Sequence, residues 1–193
     1  EPVDILDRDA FEKELNELGS LRAKADAIRT RLAKSINTKY QENPAYYENF
    51  SKRIKEALEL YKARTITEAE YLAKMRDILE DYRTGKSAIA YPDRIRANVH
   101  AQAFYGVLTA IFSNEKLSVE PDFAAEMALD ITTIIEKHSQ VDWTHNLTIH
   151  DRISQDIDDL FYRYQKERGL VLSFDVIDMI IENVKTVALR RFA

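Results

Sequence analysis

Residues 11–40 read FEKELNELGSLRAKADAIRTRLAKSINTKY, and an apolar side chain returns every three or four positions. Phe11, Leu15, Leu18, Leu21, Ala25, Ile28, Leu32, Ile36 and Tyr40 therefore share one side of a helix that turns once per 3.6 residues. The stretch predicts one long amphipathic helix. Gly19 weakens it locally but does not by itself demand a break.

The same period continues along the chain. Asn43 can cap and Pro44 can open a second helix to about Arg64, with Tyr47, Phe50, Ile54, Leu58 and Tyr61 on one side. The connection is short, so the two helices are expected to form an antiparallel hairpin. Thr67 and Glu70 are spaced as a capping box for a third helix, which Gly85 closes. A fourth is predicted from Pro92, burying Ile95, Val99, Phe104, Leu108 and Ile111. Pro121 starts a fifth over Met127, Ile131 and Ile134 or Ile135. Thr144 is expected to cap a sixth, over Ile149, Ile153, Ile157, Leu160 and Tyr164, and Ser173 a seventh.

Four Gly and four Pro in 193 residues leave little material for the turns of a sheet protein. The predicted class is all-α: a long basic helical hairpin over residues 1–64, packed with or leading into a roughly five-helix bundle over 65–193. No apolar run reaches the ~18 residues that cross a bilayer. With no cysteine, disulfides and thiolate metal sites are excluded. That absence suits a reducing bacterial cytoplasm. The chain opens on Glu1 rather than Met, so a fragment of a longer polypeptide is expected.

The net charge of -5 hides an asymmetry. Residues 22–64 carry eleven basic and five acidic side chains, between acidic flanks. Lys34, Lys39, Lys52, Arg53, Lys55 and Lys62, interleaved with Tyr40, Tyr46, Tyr47 and Tyr61, could follow a phosphate backbone. They could equally form a solvated helix surface, or dock on an acidic protein. Arg190, Arg191 and Lys185 form a smaller second patch, where cations at a helix C-terminus are expected in any case.

Other motifs carry less. T-G-K-S at 84–87 has Glu80 where a phosphate loop needs glycine, and it follows a helix rather than a strand. His145 and His150 are five apart, the wrong spacing for two imidazoles on one metal. No catalytic residue, metal ligand or cofactor site is assigned. The only tryptophan lies in Q-V-D-W-T-H, residues 140–145, just before Thr144. A packing staple onto Leu147 or Ile149 is favoured for Trp143 over an exposed hot spot.

Asp142, Trp143 and Thr144 open a helix that ends in L-F-Y-R-Y, and a last helix with I-I-E-N-V follows. Together with the helix over 68–83 and A-F-Y-G-V-L at 103–108, this resembles the C-terminal helical domain of the restriction (motor) subunit of type I restriction–modification enzymes. The resemblance covers about residues 65–192. Its departure lies at 165–172, where R-G-L-V-L replaces a glycine–aromatic–proline turn.

The resemblance implies a non-catalytic domain that mediates assembly with the methyltransferase and specificity subunits and binds duplex DNA non-specifically. ATP and magnesium are then expected only in upstream domains of the parent subunit, which would be an ATP-dependent nuclease and translocase. In isolation the domain is expected to be a monomer. The alternative is a protein–protein helical adaptor with no DNA role.

Overall fold

The computed structural model describes residues 3–193, and these fold as helices with no strand among the described residues. The chain divides into two compact units, one of residues 1–40 and 46–89, the other of 41–45 and 90–193.

The first unit is built from α1 (Arg8–Asn16), α2 (Leu21–Lys39), α3 (Pro44–Lys62) and α4 (Glu68–Thr84). The long helix expected over 11–40 is thus two helices. Ser20 adopts an extended conformation and its Oγ accepts from the Ala23 amide at 3.0 Å. Once the flexible Gly19 lets the chain turn, a serine able to cap makes a new helix start cheaper than an uninterrupted one. Leu21, counted in the apolar stripe, is consequently 44% exposed.

The expected pairing of the first two long helices also changes. α2 packs most closely on α4, the helix that the sequence grouped with the C-terminal bundle. α3 meets the core through rings such as Phe50, 5.4 Å from Tyr82 of α4. Ser35 and Tyr82 hydroxyls are 2.6 Å apart, and the Tyr71 hydroxyl donates to Asp26 at 3.2 Å, which fixes the register between α2 and α4. The capping box at Thr67 and Glu70 and the left-handed cap at Gly85 form as the sequence predicts.

The second unit contains α5 (Val99–Asn114), α6 (Pro121–His138), α7 (Leu147–Arg168) and α8 (Phe174–Arg191) around a core that includes Phe104, Leu108, Met127, Ile131, Ile157 and Phe161. Pro92 opens only a 3-10 turn, Asp93–Ile95, and α5 starts later. The Asn98 carboxamide caps it by accepting from the Ala101 amide at 2.9 Å. Val99, expected on the buried side, sits in the first turn and is 59% exposed.

The start of α7 differs in the same way. Asp142 takes a left-handed conformation, Trp143–His145 form a 3-10 turn, and Asn146, not Thr144, caps the helix. Thr144 is already inside the turn.

Residues 41–45 belong to the second unit through a close approach to α5. A Cβ built on Gly106 would lie 2.7 Å from the Ala45 Cβ. Gly106→Ala is therefore expected to destabilise by about 1–3 kcal/mol despite its better helix propensity. A thermal melt at or above the wild-type midpoint would show that the segment shifts away freely.

Candidate interaction surface

The basic segment is knitted into its own unit. Arg31 pairs with Glu14 at 2.5 Å, Arg53 with Asp81 at 2.8 Å, and Arg22 and Arg29 share Asp26 at 3.6 and 3.5 Å. Lys55 lies 4.0 Å from Glu59. Counted by packing rather than by sequence, the first unit has 17 basic and 16 acidic side chains, so the local excess nearly vanishes. The acids of α1 and α4 supply the compensation. They are distant in sequence and adjacent in the fold.

Of the eight cations singled out from sequence, Lys34, Lys39, Lys52 and Lys62 carry no ion pair among the described residues. Lys34, Lys52 and Lys62 are exposed and Lys39 is half-buried. Lys34 and Lys39 line one shallow groove of about 360 Å³ with Arg31, Ser35, Thr38 and Asp4. Lys34 lies opposite the buried stripe of α2, as Lys52 does on α3.

Arg53 and Lys55 are occupied by acids. Arg190 is exposed at the end of α8, whereas Arg191 donates to His100 Nδ1 at 3.0 Å and to the Glu42 carbonyl at 2.8 Å.

The tyrosines do not form a stacking platform for bases. Tyr61 stacks on Tyr71 with centroids 4.6 Å apart, Tyr46 sets its edge on Tyr47 and Phe50, and Tyr47 meets Tyr82. Tyr40 is half-buried and its hydroxyl lies 3.4 Å from Glu48. The rings of Tyr46, Tyr47 and Tyr61 are thus engaged within the unit.

Trp143 is 2% exposed, which agrees with a packing role, but its partner is not Leu147, which is 75% exposed. Its indole Nε1 donates to the Phe192 carbonyl at 2.8 Å, and the His150 ring lies 5.7 Å away, with Nε2 at 3.1 Å from the Trp143 carbonyl. Ile149 packs at the edge of the same core.

His138 meets Asp156 at 2.7 Å, and this bond, with help from Lys137, holds the Asp156 carboxyl below its ordinary value. Among the described residues no three of His, Asp and Glu are placed to hold a metal ion. The 84–87 segment ends α4, where the Lys86 amide closes onto the Asp81 carbonyl at 2.8 Å.

Sequence reasoning missed two features. Arg31 and Arg83 donate to the carbonyls of Val3 and Ile5, at 2.7 and 2.6 Å. No local pattern announces such long-range contacts. Val171 and Phe174, 83% and 85% exposed at the turn between α7 and α8, are apolar side chains left in water. Their signal was available, since both fall at the break between two apolar stripes. Among the described residues, no helix is long and apolar enough to cross a membrane.

Fold and surface together define an all-helical chain that pairs part of its charge within its own units. It belongs to the family described as Type I restriction enzyme HindI endonuclease subunit-like, C-terminal, whose model matches residues 1–188. A curated relative, the type I restriction enzyme HindI endonuclease subunit of Haemophilus influenzae, is 25% identical over 127 residues, 66% of this chain. The match spans 12% of that relative's length. No solved structure matches.

Proposed function

We propose that this chain is the non-catalytic C-terminal domain of a type I restriction endonuclease subunit. It attaches the subunit to the methyltransferase and specificity subunits and touches the DNA backbone without reading sequence. The observation that carries the DNA part is that Lys34, Lys39, Lys52 and Lys62 have no acidic partner within ion-pairing distance, while Arg22, Arg29, Arg31 and Arg53 are paired. Arg190 adds a further exposed cation on the other unit. Phosphate contacts made by ammonium groups position a protein on a duplex but carry no base information.

Four such contacts give a slope of roughly -3.6 in log K against log salt. A mobility-shift titration with duplex DNA at about 50 and about 200 mM salt measures it. Charge reversal of the four lysines together should abolish the slope, whereas Arg53→Gln, which removes a cation already held by Asp81, should leave it unchanged. Binding that is absent at low salt, or insensitive to the lysine reversals, sinks the DNA role.

A second reading, a protein-binding adaptor alone, is favoured by Val171 and Phe174. It predicts that Phe174→Ser weakens co-purification with the methyltransferase and specificity subunits while any DNA affinity is retained.

A further inference from the structure

The C-terminal turn of the second unit is fastened by linked contacts, beside the stacking of the Phe192 ring on Phe104 with centroids 6.4 Å apart. Arg191, near the end of α8, directs Nε to His100 Nδ1 at 3.0 Å and Nη1 to the Glu42 carbonyl at 2.8 Å. The next residue, Phe192, packs its ring on His100 with centroids 4.4 Å apart. The Phe192 carbonyl takes the Trp143 indole N–H at 2.8 Å.

A guanidinium is always a donor, so His100 Nδ1 must offer a lone pair, and the neutral ring carries its proton on Nε2. A proton on Nδ1 would set N–H against N–H and a cation against a cation. We propose that this turn is a proton-operated clasp: it is closed while His100 is neutral and opens when Nδ1 is protonated, releasing Arg191 and Phe192 from His100 and uncovering Trp143.

The charged groups around His100 come from different elements. Arg191 on α8 opposes protonation and Glu136 on α6 favours it, while Glu42 contributes its carbonyl to Arg191. Burial, and then Arg191, push the His100 ring below its ordinary value. The sign follows from that direction. Because the unfolded or released ring takes the proton more readily, the clasp is complete above the ordinary histidine value of about 6.5 and is lost as the pH falls below it. His150, beside Trp143, is the other ionisable ring on the network, with Asp142 and His145 in the adjoining turn.

Trp143 is the only tryptophan of the chain, so its emission reports the clasp directly. On titration from about pH 8 to about pH 5, the emission maximum should move to longer wavelength while far-UV helicity stays constant. His100→Gln keeps an acceptor for Arg191 but cannot titrate in this range, and it should hold the emission fixed. His150→Gln should keep the wild-type transition. The clasp is overturned if the wild type shows no shift, or if His100→Gln shifts as the wild type does. It is equally overturned if the transition disappears in His150→Gln instead, or if helicity falls together with the emission change.

Discussion

Trp143→Ala is expected to destabilise the protein by about 3–5 kcal/mol, as truncation of a buried aromatic does. The ring is 2% exposed, so its loss leaves a cavity in the core of the second unit, and the Phe192 carbonyl loses its donor. At about 2–4 °C per kcal/mol for a chain of this size, the midpoint of thermal unfolding should fall well beyond experimental error. Trp143→Phe separates the two contributions. It restores most of the ring but leaves the carbonyl unpaired, and should cost about 1–3 kcal/mol if the carbonyl stays dry. Equal losses for the two variants would mean that the hydrogen bond, not the packing, holds the turn. An unchanged midpoint in Trp143→Ala would contradict both.

Phe11→Ala should have a comparable effect, about 3–5 kcal/mol, in the first unit. Phe11 is fully buried, and its ring is flanked by the guanidinium carbons of Arg31 and Arg83, at 5.9 and 5.8 Å from the centroid. The same two arginines bind the carbonyls of Val3 and Ile5. Removing the ring therefore empties a core position and takes away the surface on which both cations rest. Phe11→Leu keeps an apolar side chain there without a π face. Whatever it loses beyond a volume change reports the cation–π part, about 0.5–2 kcal/mol. Calorimetry on both variants gives the comparison, and a Phe11→Ala endotherm superimposable on wild type would refute the account.

The arginine and acid partners show why the interaction surface was only partly legible. The excess of six positive charges over 22–64 is a true property of the sequence. What cancels much of it, Glu14 on Arg31 and Asp81 on Arg53, lies outside that window. Charge counted along a chain predicts charge counted on a surface only where the neighbours in space are the neighbours in sequence. Lys34, Lys52 and Lys62 are exposed with no acid within ion-pairing distance among the described residues, Lys34 and Lys52 on the sides of α2 and α3 away from the buried stripes. Tyr46, Tyr47 and Tyr61 among them are engaged in internal ring contacts instead.

The sequence alone determined that this protein is helical, where most helices lie, and which residues form their inner stripes. Those properties depend on a period of 3.6 and on capping groups within four residues of each end, so they are written locally. Whether α2 would favour α4 over α3, and which arginines would find acids, were decided only by the tertiary structure. Each depends on the ring, hydroxyl or charge that another segment brings to the same point in space, and neither periodicity nor local charge encodes that. Trp143 joins both kinds of information: its place before a helix start is local, while the Phe192 carbonyl that anchors it arrives from 49 residues away.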